Sequence, residues 1–323
     1  MKRLLLASAL AFASLHTHAQ QKVTLDLGHV LTTDSHYHAA AVKLAEVAAE
    51  KSNGTLTINI FPSGQLGGEV RMIQSARTGT LPLVVTGEPP LENTIKEYGL
   101  FSLPYLFKDL QHANQALQSP FGKHMLGYMD RYGLVGLGWI STLERNLYGT
   151  KKVSTVDDMK GTKVRVIQSP GYVRAYESLG AQPTPMAYSE VFMALQTGVV
   201  DAGEASPDQI IQDKFIEVTK FYNKIKIHYM PAVIIMSKSR FDSLSKEHQD
   251  ILREATDIAV KHAIAVYEKN YQEGIEAMQA ASVEIVEPEL AGFRAATEKI
   301  YAPLLKDIPD GQKNLEAARA AAN

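Results

Sequence analysis

Between Lys160 and Ile210 the sequence KGTKVRVIQSPGYVRAYESLGAQPTPMAYSEVFMALQTGVVDAGEASPDQI reads as strand, helix, short strand, helix, strand, and that order leaves few folds open. Thr162–Ile167 is a β-branched run after Gly161. Pro170–Leu179 sets Tyr172, Val173, Tyr176 and Leu179 at helical spacing and stops at Gly180. Ser189 can cap a helix through Gln196, with Glu190 in its first turn and Gly198 just past its end. Val199–Glu204 is the next strand. Strands separated by helices pair in parallel and are buried on both faces, so they should be nearly all apolar. Arg165 breaks that rule. It lies near the C-terminal end of its strand, on the face opposite Val164 and Val166. Ligands of open α/β sheets bind outside those carboxyl ends, and a planar, permanently charged guanidinium suits a carboxylate or phosphate held by two parallel hydrogen bonds. The plainer reading of Arg165 is a structural pair with an Asp or Glu.

The same alternation opens the chain. Val23–Gly28 alternates, Asp34 or Ser35 can cap a helix that Asn53-Gly54 ends, and Leu56, Ile58 and Ile60 alternate again. A helix carrying Val70, Ile73 and Ala76 follows, then a strand over Leu81–Thr86. This is a mostly parallel sheet. Two helical patterns cover roughly 109–118 and 121–132, and Leu134–Ile140 is a strand holding the one tryptophan, Trp139, read as core rather than as a ligand wall. Arg145 opens the second α/β unit, and Val233–Ser237 returns to the first sheet. Ser245 caps a helix of about 30 residues, roughly 45 Å, long enough to touch two domains. The tail from Leu315 is a last helix or frayed.

The 323 residues suffice for two domains, and their 45% hydrophobic and 21% charged content is ordinary for a soluble protein. Lys2 and Arg3, the apolar run Leu4–Leu15 and Thr17-His18-Ala19 before Gln20 form an export leader, residues 1–19. Its removal takes two positive charges and moves the net charge from −2 to −4, which points to neither nucleic acid nor an anionic membrane as partner. The absence of cysteine excludes disulfides, thiol nucleophiles and Cys-metal sites.

KGTKVRV and LGAQPTPMAYSEVFMALQTGVVDAGE, with SNGTLTINIFPSGQLGGE (52–69), FSLPYLFKD (101–109) and the RNLYGTKKV run from Arg145, closely resemble the substrate-binding proteins of tripartite ATP-independent periplasmic (TRAP) transporters. The resemblance spans nearly the whole exported chain. It implies an α/β, two-domain periplasmic-binding-protein-like fold, each domain a mostly parallel sheet flanked by helices, with the long helix spanning both. Domain I takes 20–142 plus about 231–270, domain II takes 143–230 plus about 271–323, and the ligand lies in the cleft. It also implies a periplasmic monomer that passes a small carboxylic acid to a membrane permease driven by an ion gradient, with no cofactor.

The resemblance places the carboxylate-binding arginine at Arg165, a second ligand arginine at Arg145 (unless Glu144 neutralises it), and a pocket aromatic at Tyr188 (unless it packs only against its helix). Relatives often carry Asn after the position of Glu204. Here Ala205 and Ser206 stand instead, so Glu204 and Ser206 are left to meet ligand hydroxyls, with Asp208 a weaker candidate. His36, Tyr37 and Glu88 sit at other strand ends as a polar wall. His29, His36 and His38 lack the carboxylate cluster of a metal site. Hydroxyl, imidazole and carboxylate groups beside one anchoring arginine favour a sugar acid, a uronate or aldonate. The alternatives are a C4-dicarboxylate or a small hydroxy or keto acid. A periplasmic hydrolase using Glu88 and Glu204 as a glycosidase pair, or a sensor's binding subunit, are the rivals from other classes. No G-x-S-x-G or H-E-x-x-H motif is present, which argues against an enzyme.

Overall fold

The computed structural model describes residues 22–321, so the leader expected over 1–19 lies outside the described residues. Nine strands form one continuous sheet among them. In chain order these are β1 (Val23–Gly28), β2 (Leu56–Phe61), β3 (Leu83–Gly87), β4 (Leu134–Gly149), β5 (Lys163–Val166), β6 (Gln182–Pro185), β7 (Ala202–Ala205), β8 (Phe221–Ser237) and β9 (Glu284–Val286). The spatial order is β2-β1-β3-β8-β4-β7-β5-β6, with β9 beside β8.

Two parallel wings sit at the ends of this sheet. β1 pairs in parallel with β2 and β3, and β5 pairs in parallel with β6 and β7. Two long strands, β4 of 16 residues and β8 of 17, run antiparallel and belong to both wings. The C-terminal part of β8 pairs with β3, while the C-terminal part of β4 pairs with β7. Two sheets were expected, with strands ending at Ile140 and beginning at Val233; the structure replaces them with one sheet. The polar run Ser141–Asn146 looks like a strand end in sequence. It continues as buried strand, and its second half has partners: Asn146 Nδ2 donates to Glu144 Oε1 (2.9 Å), which also accepts from Tyr271 Oη (3.0 Å), whereas the Ser141 and Thr142 hydroxyls are buried without a hydrogen-bond partner among the described residues.

Local signals set the helices. Ser35, rather than Asp34, caps helix 36–51 by accepting from His38 N (3.3 Å). Ser245 caps helix Lys246–Ala280 by accepting from His248 N (3.2 Å). That helix has 35 residues, about 52 Å, longer than the roughly 30 expected, and runs through Gly274. A Cβ at Gly274 would lie 2.5 Å from the backbone C and O of Pro207, so only glycine admits the crossing of helix 207–212. Ser189 does not cap the next segment. Glu190 Oε2 accepts from Ala187 N (3.0 Å), which starts a 3-10 turn at Tyr188 that becomes α-helix over Val191–Gln196. The strand expected over Val199–Glu204 begins three residues later, at Ala202.

Trp139 is core: it is 2% exposed, donates to Gly122 O (3.0 Å) and packs edge-on against Phe101. The chain's tail is helical to Ala320 and serves both wings. Helix 290–298 lies against helix 170–178, whereas helices 301–307 and 311–320 lie against residues 96–100. No described helix is long and apolar enough to cross a membrane.

Candidate functional site

A narrow cavity of about 20 Å³, room for little more than one water, lies where the two wings face each other. The first wing supplies Val30 and Leu31 after β1, Tyr37 from helix 36–51 and Glu69 from the start of helix 69–77. The second supplies Arg165 at the end of β5, Ile167, Tyr188 and Gln209; Arg145 and Met230 come from the shared strands.

The two arginines differ in one decisive respect. Arg145 is buried and fully engaged. Its Nε donates to Glu204 Oε1 (3.1 Å), its Nη1 to Gln209 Oε1 (2.6 Å) and its Nη2 to the Glu204 carbonyl. Burial works against its charge, yet Glu204 holds its pKa above the ordinary range. Arg165 is equally buried, but Nη2 alone is bonded, to Met186 O (3.0 Å). Its Nε has no hydrogen-bond partner among the described residues, and its guanidinium carbon sits 5.7 Å from the centre of the Tyr188 ring. Burial lowers its pKa, and Arg145 adds to that. A guanidinium stays charged in protein regardless, so Arg165 is a buried cation facing a cavity.

Glu204 stands behind Arg145 and does not line the cavity. It also accepts from Tyr176 Oη (2.7 Å) and lies 3.1 Å from His228 Nδ1. Burial pushes its pKa up, but His228, Arg145 and Tyr176 outweigh that and bring it down to about 2. Glu144 does not compete for Arg145; it faces Asn146, Tyr271 and Lys226.

The polar wall is built in layers. Glu69 Oε1 accepts from Thr86 Oγ1 (3.0 Å) and Gly87 N (2.9 Å), and burial still raises its pKa. Tyr188 donates to Asp213 Oδ2 (2.6 Å) and accepts from Gln209 Nε2 (3.2 Å), while burial pushes Asp213 up to about 6. Gln209 thus ties Arg145 to Tyr188. Its position follows from Ser206, which pairs with Gln209 across the first turn of helix 207–212 in a capping box.

Of the residues expected from sequence, the fold brings Arg165, Arg145, Tyr188 and Tyr37 to one cavity. It sets Ser206 in the helix cap. His36 lies outside the lining, with Nδ1 3.4 Å from Asp208 Oδ2 and its ring edge-on to Tyr267. Glu88 is fully buried and also outside it; neither carboxylate oxygen has a protein partner among the described residues, and burial holds its pKa well above the ordinary range. Glu69 and Gln209 were not picked out. Their signals were the Gly67-Gly68 pair before Glu69 and the Ser206-x-x-Gln209 spacing. No group of three or more His, Cys, Asp or Glu among the described residues could hold a metal.

The profile of the bacterial extracellular solute-binding proteins, family 7, matches residues 27–307. A 2,3-diketo-L-gulonate-binding periplasmic protein of Escherichia coli K12 is 29% identical over 317 residues, 97% of this chain and 96% of its own. Among solved structures, a TRAP periplasmic solute-binding protein of a Polaromonas species bound to D-erythronate is 30% identical, with a TM-score of 0.89 over 93% of this chain and 99% of the other. One from a Bradyrhizobium species, in complex with D-galacturonate, is 32% identical, with a TM-score of 0.89 over 92% and 99%. Two parallel wings joined by crossing strands, a cation-bearing cavity between them and a profile match over most of the length agree: the chain belongs to bacterial extracellular solute-binding protein family 7, the solute receptors of TRAP transporters.

Proposed function

We propose that this receptor captures a hydroxylated monocarboxylate, a uronate or aldonate, with the carboxylate on Arg165. One observation carries the reading: Arg165 is the cavity-lining guanidinium that has no carboxylate partner. Arg145 already has one in Glu204, so its charge is compensated before any ligand arrives. One uncompensated cation matches one carboxylate, whereas a dicarboxylate would leave its second charge without a partner. Glu69, Tyr37 and Gln209 offer acceptors and donors for hydroxyls, and Tyr188 backs the anchoring guanidinium. The ligands of the similar proteins, D-erythronate, D-galacturonate and 2,3-diketo-L-gulonate, support the same class.

The wings act as two lobes, one on 20–142 plus about 231–270 and the other on 143–230 plus about 271–298, with the tail helices seated on the first. Ligand contacts from both lobes favour the closed form through differential affinity. The chain is exported by residues 1–19, works as a periplasmic monomer and delivers its load to the permease without chemistry of its own.

A thermal-unfolding panel tests this. D-galacturonate, D-galactonate and D-erythronate at about 100 times the dissociation constant should stabilise by about 2.7 kcal/mol, and succinate and malate should not. Stabilisation by dicarboxylates alone would reverse the assignment.

A further inference from the structure

Away from the cavity, a carboxylate of the first wing reaches into the second. Glu92, in the 3-10 turn Pro89–Asn93 after β3, accepts at both oxygens from Gly171 N (3.1 Å each) and at Oε2 from Ser169 Oγ. Ser169 is the N-cap of helix Pro170–Ser178, so the carboxylate also meets the positive end of that helix. On its own wing Glu92 is held by Ser102 Oγ (3.0 Å). The neighbouring Asn93 Nδ2 donates to Gln168 O (2.6 Å), a second bond across the same gap.

The approach is close enough to constrain sequence. A Cβ at Gly171 would lie 2.3 Å from Ser102 Cβ and 3.1 Å from Glu92 Oε2. The helix that Glu92 grips also carries Tyr176, which donates to Glu204, and Tyr172, which stacks on His228 at 4.0 Å. Both lead to the carboxylate that holds Arg145. None of Glu92, Ser169 and Gly171 lines the cavity.

We propose that Glu92 is a latch that sets ligand affinity without touching ligand: it bonds the second lobe when the lobes are together and loses those bonds when they part. The proposal rests on the two-lobe reading given above. Two charge-assisted hydrogen bonds made only in the closed form, one from the Gly171 N–H shared between both oxygens and one from the Ser169 hydroxyl, raise the closed population, and removing them lowers it by about tenfold. A ligand that binds only the closed form loses affinity by the same factor.

The chain has no cysteine, which allows a direct measurement of closure. Gly68 and Ala187, each next to a cavity-lining residue, come from opposite wings, and a Cβ at Gly68 would lie 3.7 Å from Ala187 Cβ, within the range a disulfide spans. In the full exported chain carrying G68C and A187C, the rate of cross-linking in a glutathione buffer is proportional to the closed fraction. We expect E92A to slow ligand-free cross-linking by about tenfold, S169A to slow it by less, and the pair to be no slower than E92A alone. E46A, which removes an exposed carboxylate paired within helix 36–51, should leave the rate unchanged. An E92A rate equal to that of the parent overturns the latch. Should E92A fail to fold, S169A alone decides, and an unchanged rate there overturns it too. Adding D-galacturonate to the parent separates the two claims. Faster cross-linking with ligand but no effect of E92A removes the latch and keeps the receptor reading. A slower E92A with no response to any sugar acid keeps the latch and removes the ligand assignment.

Discussion

Replacing Glu204 by Gln tests the account of Arg145 on both stability and specificity. The Glu204 carboxylate has three partners and is 2% exposed. Its pKa of about 2, against an ordinary 4.5, corresponds to about 3 kcal/mol of stability at neutral pH. Removing one partner of a buried ion pair costs about 3–5 kcal/mol in general, the same range. The sign in pH follows from the depressed value. The contribution is complete above pH 4.5 and is lost as pH falls through 4.5 towards 2. Urea denaturation of wild type and Glu204→Gln at steps from pH 7 to pH 3 reads this directly. The two midpoints should differ by the equivalent of about 3 kcal/mol at pH 7, and the gap should narrow to about half of that at pH 3. The same change frees a second cation in the cavity, so Glu204→Gln should gain affinity for succinate relative to D-galacturonate. Equal stability at pH 7, or a gap that widens in acid, would refute the argument that Glu204 neutralises Arg145.

Asp213 titrates in the opposite sense. Its folded pKa is raised to about 6 from 3.8, so the folded state loses stability as pH rises from 3.8 through 6. Asp213→Asn keeps an acceptor for Tyr188 and should be more stable than wild type at pH 7, by up to about 3 kcal/mol, with the gain gone at pH 3.5 in the same urea series. Gly274→Ala should destabilise by about 1–3 kcal/mol through the clash with Pro207, seen as a lower melting temperature in calorimetry.

Much of this fold was legible in the sequence because period and capping agree locally. The alternation of Leu25 and Leu27 with polar neighbours, the Ser35 and Ser245 caps and the long apolar stripe of helix 246–280 all reappear in space. Arg165 was legible for a different reason: a charge in a strand that should be apolar is an exception needing an explanation. The long strands β4 and β8 were not legible. Polar residues at 141–146 end a strand by pattern, and Glu144 and Arg145 are buried there on tertiary partners, Tyr271 and Glu204. The roles of Glu204 and His228 were hidden for the same reason. Glu204 meets Arg145 across 59 residues of sequence and His228 across 24, and no periodicity reports such pairs. Gln209 carried no charge or periodicity signal, and only the cap at Ser206 turns it towards Arg145 and Tyr188.

The central claim is that Arg165 supplies the one uncompensated cation of the cavity. Titration calorimetry of ligand-stripped wild type and Arg165→Ala with the sugar acid that stabilises most strongly tests it. Loss of the anchor should weaken binding by roughly 30-fold or more, about 2 kcal/mol at the least. Binding by Arg165→Ala as tight as wild type would contradict the account.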